Sequence, residues 1–350
     1  MFKLTPFFGP DRQVKGPPVV VKIAPRTQGE REKANYDKFV RWALPAACRP
    51  ELLGFASTPA HAGLCYSFAG RPDGARMDTL TECLQRGDAT RPELVLRTLF
   101  DPLRDTWYNP ALLRTESDLA RRYLDRYFKG PGPAARKAEA AETETSLQAC
   151  AKRYFKARQK DGRYVIGRLS FPSPHATLFA SGQKRRYHSC ILHGDLNSDN
   201  ILVADVPSVA KIANASSSAT GVTMIDFQKT GRGHVHEDLV AVEASIRINY
   251  GRDVSRMVSQ DALFSEILKK ERLIALGRPP RNDPYPASIR KVRDAASRYF
   301  GGIEDNANYH FAVAAIGLRL MQAVDLSHVA RARITASTLW AAKSLAGEKL

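Results

Sequence analysis

The feature that most constrains this chain is a polar loop enclosed by apolar residues. Residues 193–200 read His-Gly-Asp-Leu-Asn-Ser-Asp-Asn, and the apolar runs Ile-Leu at 191–192 and Ile-Leu-Val at 201–203 flank them. Polar groups held this close to a core cost free energy unless they are bonded to partners. Function is the usual reason for such a placement, so we expect this loop to carry the chemistry of the protein.

A second buried run ends in a carboxylate. Residues 222–225 read Val-Thr-Met-Ile and are followed directly by Asp226 and Phe227. Between this run and the strand at 201–203 lies a Ser- and Ala-rich stretch at 210–221, which is typical of a loop. We therefore predict a long hairpin that brings Asp226 close to Asn200.

Phosphoryl transfer from ATP needs a divalent cation for the phosphate oxygens and a base for the attacking hydroxyl. Mg²⁺ prefers hard oxygen ligands, commonly one or two from protein. Asn200 and Asp226 carry such oxygens. Asp195 lies five residues before Asn200 in the same loop and can face the same cleft, where it could accept a proton.

The N-terminal region contains a strand and a helix. Val19 to Ile23 is dominated by β-branched residues, and its period of two places Val20 and Lys22 on one face. Apolar residues at helical spacing then predict a helix over residues 30–44. A second strand is predicted over residues 63–68.

The loop and the second strand together resemble the catalytic centre of the protein-kinase-like superfamily, in the branch around aminoglycoside phosphotransferases and choline kinases. The loop of that branch reads H-G-D-x-x-x-x-N, which His193, Gly194, Asp195 and Asn200 match. Its metal-binding strand ends in Asp-Phe, as this one does at Asp226.

The resemblance implies a role for each matching residue. Asp195 would be the catalytic base, and His193 would brace the loop beside it. Asn200 and Asp226 would hold Mg²⁺. Lys22 would hold the ATP phosphates from its strand.

The same resemblance implies two further partners for ATP in the N-terminal region. Val20 would line the adenine pocket. A helix glutamate would pair with Lys22, and Glu32 is the choice over Glu30 because Phe39 lies seven residues on, on the same helix face.

Several departures separate the chain from Ser/Thr/Tyr protein kinases. The metal strand continues as Asp-Phe-Gln rather than Asp-Phe-Gly, and no Ala-Pro-Glu segment follows. Gly194 stands where protein kinases carry Arg, and Asn197 stands where they carry Lys. The substrate is therefore expected to be a small molecule with a hydroxyl group, and the activity that of an alcohol-group kinase.

The expected fold is α+β: a two-lobed protein-kinase-like fold with a small β-rich N-lobe at 1–70 and a larger, mostly helical C-lobe at 71–350. Twenty-one residues precede Lys22, where the family usually places two strands and a phosphate-covering loop. We therefore expect either a shortened small lobe or a chain that begins within a longer protein. Gly and Pro at 130–133 predict a loop or weak, mobile helix over 129–146, and several helices follow residue 259.

Composition restricts partners and location. A net charge of +17 favours polyanionic partners such as nucleotides or nucleic acid. Five widely spaced cysteines without a C-x-x-C pair favour reduced thiols over disulfides or zinc. No stretch predicts a signal peptide or membrane span, and a cytoplasmic protein is expected.

ATP and Mg²⁺ are the expected cofactors. Two alternatives to an active kinase remain open from the sequence. The first is a catalytically weak kinase-like module that binds a nucleotide or a partner protein, which the short N-terminus favours. The second is a basic protein associated with nucleic acid, which the net charge favours.

Overall fold

The computed structural model describes residues 1–8, 14–69, 77–87, 91–179, 184–203, 221–251, 259–278, 283–301 and 305–349. Its strands are β1 (Phe2–Leu4), β2 (Phe7–Phe8), β3 (Val14–Lys15), β4 (Val19–Pro25), β5 (Leu52–Ser57), β6 (His61–Ser67), β7 (Asp78–Thr79), β8 (Arg114–Glu116), β9 (Arg158–Lys160), β10 (Arg163–Ile166), β11 (Leu169–Pro172), β12 (Tyr187–Leu192), β13 (Ile201–Val203), β14 (Val222–Met224) and β15 (Gly231–His234). Its α-helices are α1 (Arg26–Asn35), α2 (Leu80–Gln85), α3 (Arg91–Val95), α4 (Asp101–Leu103), α5 (Leu119–Tyr127), α6 (Pro133–Phe155), α7 (Pro174–Phe179), α8 (Glu237–Asn249), α9 (Gln260–Ala275), α10 (Pro284–Phe300), α11 (Asn306–Leu320) and α12 (His328–Leu345).

The chain divides into two compact units. The first unit comprises Met1–Cys83, Leu94–Leu112 and Cys190–Gly233, and the second comprises the remaining segments. The predicted α+β class is confirmed, with a four-stranded sheet near the N-terminus and a larger helical part toward the C-terminus. The boundary predicted near residue 70 stays a prediction, because residues 70–76 lie outside the described part of the chain.

A four-stranded sheet forms the N-terminal part of the first unit, in the order β1-β4-β6-β5. Strand β4 pairs antiparallel with β6, and Lys22 lies opposite Leu64 in this ladder. The alternation of β4 keeps Val20 and Lys22 on the same face, as its sequence predicts. On the other side β1 pairs with β4, which places Phe2 opposite Val21.

Helix α1 packs very closely on this sheet. A Cβ added at Gly29 would lie 2.5 Å from the Cβ of Ala62 on β6, so the missing side chain is what permits the approach. The helix was predicted over residues 30–44. It begins earlier, at Arg26, and ends at Asn35, where a π-helical turn continues it over Tyr36–Val40.

Three short strands place the polar loop of the first unit. Strand β13 pairs antiparallel with β14, with Ile201 opposite Met224, and pairs on its other edge with β7. The strands of the predicted hairpin are therefore present and paired. Its connection, residues 204–220, lies outside the described residues.

The second unit is built mainly of helices. Of the loop or weak helix predicted over residues 129–146, the structure has a helix, because the 23-residue α6 begins at Pro133. Proline is well tolerated in the first turn of a helix, and the Ala-rich residues that follow are strong helix formers. Ala140, Thr143, Leu147 and Ala151 are buried at helical spacing along its inner face.

A cluster of charged side chains lies inside the second unit. Arg247 is 2% exposed, and its guanidinium binds Glu243 of the same helix at 2.6 Å and Glu271 of α9 at 3.0 Å. Arg293 of α10 also binds Glu243, at 2.8 Å. Together they bond three helices, α8, α9 and α10, to one another. No helix within the described residues is long and apolar enough to cross a membrane.

Candidate functional site

Lys22 is the polar centre of the first unit. Its Nζ donates to Glu32 Oε2 at 2.6 Å and to Asp226 Oδ1 at 2.8 Å, and the side chain is 16% exposed. Burial acts to lower the pKa of Lys22, but the hydrogen bonds to Asp226 and Glu32 outweigh it and raise the pKa above 10.5. The ammonium is thus charged and joins a strand, a helix and the end of the predicted metal strand.

Glu32, rather than Glu30, is the helix glutamate that contacts Lys22. Its side chain is 1% exposed, and Tyr66 OH donates to Oε1 at 2.9 Å. Burial and the adjacent Glu32 carboxylate raise the pKa of Tyr66 above its ordinary value. Glu30 instead binds Arg26 on the helix surface, at 2.7 Å.

A cavity of about 210 Å³ lies beside this ion pair. Val20, Tyr66, Phe68 and Leu202 are among the residues that give it an apolar lining, while Lys22, Glu32 and Asp226 also line it. An apolar cleft that carries a few charged groups is the usual form of a small-molecule site. The cavity is large enough for a planar ring.

The polar loop at 193–200 begins with a conformation that favours glycine. Gly194 has a φ of 76°, and it separates His193 from Asp195. His193 is fully buried, and its Nε2 donates to the carbonyl of Ile225 at 2.9 Å, which leaves Nδ1 to accept from Asp195 N at 3.3 Å. Burial lowers the pKa of His193 to about 4, so the ring is neutral. It bonds the loop to the residue before Asp226.

Asn200 also holds the loop in shape. Its Nδ2 donates to the carbonyl of Asp195 at 2.8 Å, and its own carbonyl accepts from Ile225 N at 3.0 Å. The side chain of Asn197 accepts from the amides of Asp199 and Asn200, which closes the turn between them. These bonds leave the side-chain oxygen of Asn200 available to a cation.

Asp226 follows β14 in a left-handed conformation, with a φ of 68°. Such a conformation is uncommon outside glycine, although Asp tolerates it better than most residues. Because Ile225 N binds the carbonyl of Asn200, the two predicted metal ligands are carried by neighbouring strand ends. A carboxylate and an amide oxygen suit Mg²⁺ in chemistry. The Asp226 carboxylate is held by Lys22 through one oxygen.

Three contacts of this site were not predicted from the sequence. Lys229 Nζ donates to Asp195 Oδ2 at 2.8 Å, Tyr66 binds Glu32, and Asn35 Nδ2 donates to the carbonyl of Gln228 at 2.8 Å. Only Tyr66 had a usable signal, since the alternation of β6 places it on the face of Leu64, opposite Val20. The other two depend on how the turn after Asp226 packs.

Comparison with known proteins gives structural neighbours alone. No family model matches the sequence, and no curated protein matches it. One neighbour is the aminoglycoside phosphotransferase APH(3'')-Id from Streptomyces rimosus ATCC10970, at 17% identity and a TM-score of 0.37, covering 86% of this chain and 84% of that one. That protein has also been solved with ADP and streptomycin.

Two other neighbours are similar at the same level. The aminoglycoside-3'-phosphotransferase of type VIII is 18% identical, with a TM-score of 0.31, and the match covers 80% of this chain and 86% of that one. Ethanolamine kinase Pv091845 from Plasmodium vivax is 12% identical, with a TM-score of 0.36, over 94% of this chain and 78% of its own.

Proposed function

We propose that this protein is an ATP- and Mg²⁺-dependent phosphotransferase that moves the γ-phosphoryl group to a hydroxyl of a small molecule. The observation that carries the proposal is the position of Lys22, whose ammonium binds both Glu32 and Asp226. Lys22, positioned by Glu32, would hold the nucleotide phosphates, and the adjacent apolar cavity would take the base against Val20. The same proposal places the enzyme in the cytoplasm, where ATP is supplied.

Each polar side chain of the loop has a distinct part in this reaction. Asn200 and Asp226 would hold Mg²⁺, which supplies charge neutralisation for the phosphate oxygens. Asp195 would take the proton of the acceptor hydroxyl while the new bond forms between that oxygen and the γ-phosphorus. The bond from the γ-phosphorus to the bridging oxygen breaks, and ADP leaves with its electron pair.

In this scheme His193 positions the loop by its hydrogen bonds. Its ring is buried and neutral, and its hydrogen bonds join the Asp195 amide to the Ile225 carbonyl. It therefore holds the base beside the strand end that carries Asp226. It touches neither substrate and is a positioning residue.

Thermal unfolding with and without Mg-ATP is the first test. A ligand at 100 times its dissociation constant stabilises the folded protein by roughly 2.7 kcal/mol. We expect a Mg²⁺-dependent rise in Tm that Asp226→Asn removes. Asp199→Asn is the matched control, because Asp199 is an exposed carboxylate of the same loop, and it should keep the rise.

Transfer of labelled γ-phosphate to a panel of small hydroxyl compounds tests the chemistry itself. Asp195→Asn should lose transfer while it retains the nucleotide-dependent rise in Tm. Turnover that survives unchanged in Asp195→Asn would rule out Asp195 as the base. Nucleotide binding without transfer to any acceptor would favour the non-catalytic module instead.

A further inference from the structure

The ion pair between Lys229 and Asp195 occupies the proposed catalytic base. Lys229 is the last residue of the turn Phe227–Lys229, which follows Asp226 directly. Its Nζ lies 2.8 Å from Asp195 Oδ2, and the two side chains are 51% and 37% exposed. Exposed pairs of this kind contribute little to stability and separate readily. The oxygen that would receive a proton is thus engaged by a side chain that can leave.

The backbone below Lys229 is held in place. Asn35 Nδ2 donates to the carbonyl of Gln228 at 2.8 Å, and Thr230 N donates to the carbonyl of Phe227 at 3.1 Å. The Thr230 hydroxyl also reaches the carbonyl of His193, at 3.4 Å. With the turn bonded on both sides, a movement of the Lys229 ammonium requires only rotation of its flexible side chain.

Two other polar side chains near Asp195 already have partners in the structure. Asn197, two residues after Asp195, is uncharged, and its side-chain oxygen is used by the amides of Asp199 and Asn200. Lys22, which is proposed to hold the nucleotide phosphates, is bonded to Glu32 and Asp226. A transferring phosphoryl group needs positive charge close to its own oxygens as well as at the metal. Lys229 is a cation already beside the base and only weakly held there.

We propose that Lys229 exchanges partners during the cycle, releasing Asp195 and binding the γ-phosphate of ATP. This rests on the proposed function. In the free protein Lys229 neutralises the Asp195 carboxylate. With Mg-ATP bound, its ammonium donates to a γ-phosphate oxygen, and Asp195 Oδ2 is free to face the acceptor hydroxyl.

The chemical step balances without a further reactant. The acceptor oxygen forms its bond to the γ-phosphorus, the bond to the bridging oxygen breaks, and ADP keeps that electron pair. The acceptor proton passes to the Asp195 carboxylate. Lys229 takes no part in the proton transfer and follows the phosphoryl group as a hydrogen-bond donor, so it selects for nucleotides that carry a γ-phosphate.

Calorimetric binding of two probes tests the exchange without reliance on turnover. The probes are Mg²⁺ with a non-hydrolysable ATP analogue and Mg²⁺ with ADP. We expect Lys229→Gln to weaken the triphosphate analogue by about tenfold, since a charge-assisted hydrogen bond is lost. ADP affinity should stay within about twofold, because ADP has no γ-phosphate.

Two further variants sharpen the result. Lys229→Arg keeps the charge and should retain most of the preference for the triphosphate. Lys33→Gln removes an exposed lysine on α1 that binds Asp37, and it should change neither affinity. An equal loss of both nucleotides in Lys229→Gln, or no loss of either, would overturn the exchange. Failure of the unaltered protein to bind either nucleotide would overturn the proposed function as well, so the two failures are distinguishable.

Discussion

Lys22 Nζ lies 2.8 Å from Asp226 Oδ1, although the two residues are 204 positions apart in the chain. The same ammonium binds Glu32, which is almost fully buried. The structure therefore places a lysine on the carboxylate that we propose as a Mg²⁺ ligand. A bound cation would have to share or replace that contact, so nucleotide loading and the Lys22 ion pairs are coupled.

Removing the Lys22 ammonium should destabilise the protein even without nucleotide. In Lys22→Met the buried Glu32 carboxylate keeps only its hydrogen bond from Tyr66 among the contacts described above. Leaving a buried charge uncompensated costs roughly 3 kcal/mol, which urea unfolding would detect. The double variant Lys22→Met/Glu32→Met should lose less than the sum of the single variants.

The matched control for this prediction is Arg26→Met. Arg26 binds Glu30 on the same helix, with side chains 49% and 43% exposed. Exposed pairs are worth at most about 1 kcal/mol, so this variant should unfold nearly as the unaltered protein does. If Arg26→Met lost as much stability as Lys22→Met, the burial of Glu32 would not be the cause of the destabilisation in Lys22→Met.

The close contact of Gly29 with Ala62 predicts a second effect. Ala is the better helix former, but in Gly29→Ala the new methyl would lie 2.5 Å from the Ala62 Cβ. Overpacking of this kind costs about 1–3 kcal/mol and should push α1, with Glu32, away from Lys22. We expect a lower Tm and a smaller stabilisation by Mg-ATP.

A compensating variant separates crowding from other causes. Gly29→Ala/Ala62→Gly removes the opposing methyl and should recover much of the nucleotide-dependent rise in Tm. If the double variant stays as impaired as Gly29→Ala, the contact between α1 and β6 does not control the position of Glu32.

At this site the sequence predicts the structure best where residue type and backbone periodicity indicate the same element. The β-branched run at 19–23 predicts a strand, and its alternation alone places Val20 and Lys22 on one face. The apolar flanks of the loop and of Asp226 likewise predict strands, and β13 and β14 pair as that pattern requires. The catalytic and binding roles of these residues stay predictions until they are measured.

Other parts of the structure have no local signal of that kind. Strand β1 is three residues long and depends on its ladder with β4. Helix α6 follows a Gly- and Pro-rich stretch that reads as a loop, yet its buried Ala and Leu residues pack along one face. Lys229 is one of many lysines on a basic chain, and only the packing of its turn directs it to Asp195.

The buried charged cluster of the second unit also has no local sequence signal, because glutamates on helices usually face water. Glu271 is 1% exposed and binds both Arg247 and Tyr285. Glu271→Gln would leave Arg247 and Arg293 to share Glu243 and should destabilise the protein by roughly 3 kcal/mol. Chemical denaturation would measure the loss.

The control for the cluster is an ion pair at the surface. Lys156 and Asp261 are 73% and 71% exposed, so Asp261→Asn should change stability by less than about 1 kcal/mol. Arg247→Met combined with Glu271→Gln should be less destabilising than the sum of the two changes. Additive losses would mean that the two side chains are not energetically coupled.

Buried histidines predict how stability depends on pH. Burial lowers the pKa of His236 to about 3, and burial is also the main cause that lowers the pKa of His310 to about 4, each from 6.5. Between the lowered pKa values and 6.5, these histidines bind more protons in the unfolded chain than in the folded protein. The free energy of unfolding therefore decreases as the pH drops below 6.5. From pH 7 to pH 5 each such histidine should cost about 2 kcal/mol.

Unfolding free energies measured across this range test the assignment through their slope. His236→Phe removes one titrating ring from contact with Phe300 and Tyr309, and it should reduce the loss between pH 7 and pH 5 by about 2 kcal/mol. Because the slope reports protons taken up on unfolding, it is insensitive to any uniform loss of stability that the phenylalanine causes. An unaltered slope in His236→Phe would mean that His236 is not held neutral by its burial.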